Sequence, residues 1–299
     1  MAVSRRWKLA ATGSLLVIVP VVWTVRHFHL LDRGSSTPLS VDDARERYRE
    51  SASTTLVAST APPPTNTVAP DTVAPDTVAP VTSDTATIAP ATTETIPHVE
   101  LPTPGVYTYA TTGRDSVDAL GGAHHEYPAT TTITVTTSGC GVLQRWDVLV
   151  ERWEEWQRCV DGGAVREVAR TTYDQFFGQG QTDAYVCTGD ARPVDAPVGA
   201  TWTSSCAQGD DVEVRTGEVV GTESLTVGDV TVDTVHVKVT ITVSEYPDDT
   251  RIVETWYGAG SDLVVAQRAV ASTTNPSPIG EVHYEETYEI HLQSLTPLT

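Results

Sequence analysis

Four cysteines, the run His124-His125-Glu126 and a C-terminal ladder of Glu281, His283, Glu285, Glu289 and His291 are the residues whose types and spacing could do chemistry. Residues two apart on a strand point to the same side, so the ladder can share a cation or sense pH; a polar outer face on a surface strand explains it equally well. Adjacent residues on an extended chain point to opposite sides, and His124-His125-Glu126 therefore reads as a solvated, glycine-bounded loop. There is no Gly-x-Ser-x-Gly motif, and pairing the cysteines leaves no thiol nucleophile. The sequence names no catalytic residue, no metal site and no cofactor.

Aromatic side chains offer binding chemistry instead. Trp146, Trp153, Trp156, Trp202 and Trp256 could line a pocket for an apolar or carbohydrate ligand, although aromatics more often supply core area. The segment from Phe176 to Gly180 is either a loop with buried aromatics or the lip of such a pocket. Val142, Trp146, Leu149, Val150, Trp153, Trp156 and Val160 recur at helical spacing, which competes with a hairpin over the same residues. A straight helix would hold the Cα atoms of Cys140 and Cys159 about 28 Å apart, against a disulfide ceiling of about 7 Å. Helix and bridge exclude each other. Cys187 and Cys206 flank a turn built from Pro193, Pro197 and Gly199, which favours local pairing and with it a Cys140–Cys159 hairpin. Four cysteines still permit three connectivities.

The elements that must position these residues are strands. From Gly105 onward the dominant period is two: Val235, Val237, Val239, Ile241 and Val243 share one face of a strand. Near the C-terminus Val282, Tyr284, Tyr288, Ile290 and Leu292 do the same, with the Glu/His ladder opposite. Glycine, proline and aspartate punctuate the strands, as at Asp161-Gly162-Gly163 and Gly228-Asp229. The expected fold is mainly β, an antiparallel meander forming a curved sheet or half-barrel over residues 105–299.

What precedes it reads as an export and anchoring apparatus. Residues 1–8 form a short basic cytoplasmic tail, and the apolar run 9–25 lies at the short end of the roughly 17–25 residues that cross a bilayer as a helix. No small-x-small cleavage pattern follows, which favours an uncleaved signal anchor. Residues 26–50 are a juxtamembrane segment with a capping box at Ser40 and Asp43. Residues 51–104 form a Thr/Pro-rich stalk without a Lys or Arg, repeating Thr-Val-Ala-Pro, whose prolines prevent helix and packed strand. Cysteines confined to the C-terminal part suit an oxidising compartment, placing the N-terminus inside and the domain outside the plasma membrane. The formal net charge is −20, most of it after residue 100. Such a surface repels phosphodiester backbones, so nucleic acid is excluded as a partner and the membrane is reached through the N-terminal helix.

The stretch from Glu254 to Gln267, ETWYGAGSDLVVAQ, resembles the W-Y-x-x-G-x-G-x-V segment of LolA/LppX-like half-barrel envelope proteins. Trp256, Tyr257, Gly260 and Val264 fit, and Asp262 stands where the second glycine would be. The layout of anchor, stalk and two disulfides is also similar to that of uncharacterised actinobacterial membrane-anchored proteins. The resemblance implies a concave sheet sheltering an acyl chain or other apolar ligand. The expected function is a membrane-anchored extracytoplasmic binding or accessory module for a lipid, apolar ligand or envelope protein. An extracytoplasmic cell-wall or lipid hydrolase and a structural spacer or adhesin are the competing classes.

Overall fold

The computed structural model describes residues 36–58, 98–243, 246–277 and 280–299. Among the described residues one α-helix, α1 (Val41–Ala58), precedes fourteen strands: β1 (Gly105–Val117), β2 (Ala123–Glu126), β3 (Thr130–Ser138), β4 (Gly141–Asp147), β5 (Arg152–Asp161), β6 (Ala164–Phe176), β7 (Gln179–Gly189), β8 (Arg192–Pro193), β9 (Thr201–Gln208), β10 (Asp211–Val227), β11 (Val230–Val243), β12 (Tyr246–Gly258), β13 (Val264–Ser277) and β14 (Gly280–Leu292), with a short 3-10 turn at Ala119–Gly121 between β1 and β2. The strands pair antiparallel, almost all with their neighbours in sequence.

The expected open half-barrel is instead closed. β1 pairs with β3 and β2 along one edge and with β14 along the other, Tyr109 opposite Leu292 and Val117 opposite Tyr284, sealing a ring of twelve strands. Twist accumulates at about 20–25° per strand pair, and a meander this long brings its two free edges together, removing both as sites of aggregation. The inner face holds the core, including Tyr109, Val135, Trp146, Val219, Val237 and Ile290. The outer face of β14 is polar: Glu285, Glu289 and His291 of the ladder are all exposed.

Residues 142–158 form the β4–β5 hairpin. Both bridges are local, Cys140 to Cys159 and Cys187 to Cys206, the latter joining directly opposed residues of β7 and β9. The helical spacing of the tryptophans there is a by-product of strand alternation on either side of a turn. Trp146 and Trp156 face inward, Trp153 outward.

Two boundaries shift. Helix α1 continues to Ala58, past the expected start of the stalk at 51, and it packs on β1 and β3. Its capping box forms as expected, with Asp43 N donating to Ser40 Oγ at 3.1 Å and Ser40 N to Asp43 Oδ2 at 3.0 Å. Ala44 is fully buried beneath it, and Arg47 donates to Asp147 at 3.0 Å. Residues 98–104 likewise belong to the domain: Glu100 N donates to Gly260 O and Asp262 N to Glu100 O, at 2.9 and 3.0 Å, and Val99 packs with Val165 and Val194. Among the described residues no helix is long and apolar enough to cross a membrane; the run 9–25 lies outside them, as does most of the expected stalk.

Candidate functional site

The two ends of the barrel differ. One is plugged: Asp262, fully buried after the Trp256-Tyr257 strand, accepts from Arg192 Nη2 at 2.7 Å and Gln144 Nε2 at 3.0 Å, with Arg158 Nη1 at 3.5 Å. The Arg192 guanidinium also lies 3.8 Å over the Tyr257 ring. These contacts stitch the loop before β9 to the turn before β13 and shut this end.

The opposite end opens into a cavity of about 690 Å³. Its rim is apolar in part, with Val117, Phe176, Phe177, Val243 and Val282. The turn after β6 carries Phe177 at φ 54° and Gly178 at φ 69°, the left-handed pair that a tight hairpin demands. Of the two alternatives for this segment, the lip of a pocket is the one the fold adopts.

The floor is ionic. Inward positions that alternation would fill with apolar side chains carry Arg152 and Glu154 on β5, Arg170 and Asp174 on β6, Glu213 on β10, Arg251 on β12 and Glu286 on β14. Glu154 accepts from Arg170 Nε, and from Arg251 Nη2 at 2.9 Å, with Arg152 Nη2 at 3.5 Å. Arg170 Nη1 reaches both oxygens of Glu213 at 2.9 Å. Arg152 Nη2 donates to Glu286 at 3.1 Å, and Tyr127 OH donates to the same carboxylate oxygen at 2.7 Å. Every one of these guanidiniums already has a glutamate.

Asp174 sits above this layer, 3.0 Å from Arg152 Nε, its side chain 34% exposed where it lines the cavity. Burial pushes its carboxyl up to about 6; Arg152 opposes the push, while Glu286, Asp115 and Glu154 add to it. Asp183, Asp211 and Asp249 also line the cavity, so carboxylates outnumber guanidiniums there by six to three and the lumen favours positive charge.

His125 corrects the solvated-loop reading. β2 extends the sheet along β1, and alternation turns His124 and Glu126 out and His125 in, where it is 1% exposed. Its Nδ1 lies 2.7 Å from Asp115 Oδ1 and its ring stacks on Phe176, centroids 4.5 Å apart. The histidine braces the rim.

The five tryptophans do not converge. Trp146, Trp156 and Trp202 lie in or against the core, Trp202 covering Gly217 on the next strand. Trp153 stacks outside on Tyr173 beneath Arg145, and Trp256 outside on His236. None of them lines the cavity. The Glu/His ladder divides into pairs, His291 with Glu289 at 2.8 Å and His283 with Glu285 at 3.6 Å. Among the described residues the one trio at metal-binding distance, Glu167, Cys187 and Cys206, has both sulfurs in a disulfide.

The ionic floor escaped sequence reading, but one sign of it was visible. Residue 286 falls in phase with Tyr284, Tyr288 and Ile290, and a glutamate in that phase marks a buried charge with a partner on another strand. No protein-family model, curated protein or solved structure matches this chain.

Proposed function

We propose that the protein is a membrane-anchored extracytoplasmic binding module whose barrel takes an amphipathic molecule with a cationic head. The observation that carries this reading is the 690 Å³ lumen itself, within the usual range of roughly 300–1,000 Å³ for ligand sites and lined by an excess of carboxylates over already paired arginines. The head would rest on Asp174 and its neighbours, and the tail would run out along Ile241, Val243, Phe176 and Phe177. An anionic lipid finds no unpaired guanidinium on that floor. The purely apolar ligand implied by the half-barrel resemblance would strand the ionic floor without water.

Calorimetric titration with decylammonium, decanoate and decyl maltoside below their micellar concentrations tests this. Decylammonium should bind best, and about tenfold more tightly at pH 7 than at pH 5, because a carboxyl titrating at about 6 is mostly neutral at the lower pH and mostly charged at the higher. Asp174→Asn should flatten that dependence. Equal binding of decanoate, or no binding of any of the three, would sink the reading.

A hydrolase reading draws on the same Asp174, since a carboxyl that keeps its proton to about pH 6 suits a general acid. Turnover of an ester or glycoside that disappears in Asp174→Asn while binding survives would favour it.

A further inference from the structure

We infer that the barrel sits mouth-down on a lipid bilayer and exchanges its ligand with that bilayer. The inference deepens the function proposed above and rests on its reading of residues 9–25 as a membrane span.

The placement of α1 carries it. A stalk lying between anchor and domain would hold the barrel far from the membrane, but α1 comes before that segment in sequence and is docked on the barrel wall. The chain joins the fold beside the mouth. Ser36 Oγ accepts from Glu126 N at 3.3 Å; Thr37 N and Oγ1 donate to the Glu151 carboxylate at 2.9 and 2.6 Å; Thr37 O accepts from Val150 N at 2.9 Å. Glu151 O in turn accepts from Gln175 N at 2.9 Å, next to the rim residue Phe176.

From there α1 descends the wall toward the plugged end. Arg45 and Arg49 donate to Thr299 O, and Leu298 pairs with Val106 at the start of β1. Farther along the chain, Glu100 is fastened to Gly260 at that same end. Residues 59–97 follow α1 in sequence and therefore do not separate the apolar run from the docked helix.

Only residues 26–35 connect the apolar run to Ser36. Ten residues span roughly 35 Å at full extension. A barrel of strands about thirteen residues long, tilted as barrels require, stands roughly 33 Å tall. Inverting it would lift Ser36 to nearly the full reach of the tether, which is entropically unfavourable; mouth-down leaves the tether slack.

The mouth is furnished for that contact. Among the described residues two that are not glycine adopt left-handed backbone, Leu120 at φ 52° and Phe177 at φ 54°, and both are apolar side chains at turns of this end. Leu120 is 56% exposed, and Val150, beside Thr37, is 47% exposed. The acidic lumen above them repels anionic headgroups, so a zwitterionic surface is the partner it fits.

The full-length chain reconstituted into phosphatidylcholine vesicles carrying doxyl-labelled lipid tests the orientation. Leu120→Cys and Phe177→Cys report the mouth and Val230→Cys the plugged end, each labelled with a fluorophore; two mouth positions guard against one variant failing to fold. Mouth labels should be quenched at least threefold more than the label at 230. Vesicle flotation is scored on the same samples. Protein that floats but shows equal quenching, or stronger quenching at 230, overturns the mouth-down placement while leaving the anchor standing. Protein that does not float overturns the anchor and the placement with it.

Discussion

Glu154→Ala is expected to cost about 3–5 kcal/mol of stability, or folding altogether, because removing one member of a buried ionic cluster strands the charges that remain. Glu154 is 1% exposed and meets three guanidiniums, those of Arg152, Arg170 and Arg251. Burial alone would push its carboxyl up, but Arg170, Arg251 and Arg152 together outweigh burial and hold it well below the usual glutamate range. A depressed pKa contributes stability that is fully present above the ordinary value of 4.5 and is lost as pH falls below it. Glu154→Gln preserves the shape and removes the charge, so its stability should fall less steeply than that of the wild type below pH 4.5. Asp174 acts with the opposite sign. Its raised pKa withdraws stability as pH rises between its ordinary 3.8 and about 6, and Asp174→Asn should abolish that decline. Denaturant melts across pH 3–7 measure both slopes. A Glu154→Ala barrel within about 1 kcal/mol of wild type would show that the charges find water or each other, contrary to a closed ionic floor.

Trp146→Ala is the second large effect, expected at about 3–5 kcal/mol from lost packing and the cavity left behind. The indole is fully buried, its ring centroid 4.4 Å from that of Tyr288 and 6.1 Å from that of Tyr127, and its Nε1 donates to Thr131 Oγ1 at 3.0 Å. Trp153→Ala and Trp256→Ala, on the outer wall, should cost no more than about 1 kcal/mol. Thermal melts rank the three. Decylammonium affinity, measured alongside, should be unchanged in the two outer variants. A tenfold loss in Trp256→Ala would return the ligand site to the tryptophans and away from the lumen.

The amino-acid sequence by itself determined the strand pattern and the turns, and it favoured local disulfides while leaving three connectivities open. Val235 to Val243 and Tyr284 to Leu292 alternate because inside and outside are decided by neighbours two residues away, and covalent reach alone makes a Cys140–Cys159 bridge and a helix between them mutually exclusive, a choice the structure settles for the bridge. The Ser40–Asp43 capping box is equally local. Only the tertiary structure decided what depends on distant partners. Closure required β1 to meet β14 across nearly the whole domain, and nothing in either strand announces whether its free edge finds the other. Arg152, Glu154 and Glu286 become a floor only when the ring brings them together; in the sequence each is a charge on a strand, indistinguishable from the exposed Glu285 and Glu289 except by phase. His125 and α1 follow the same rule. One is buried by a strand extension and the other is held on a wall formed by strands that come after the whole 59–97 segment, so the cavity and its orientation belong to the closed barrel and not to any segment of it.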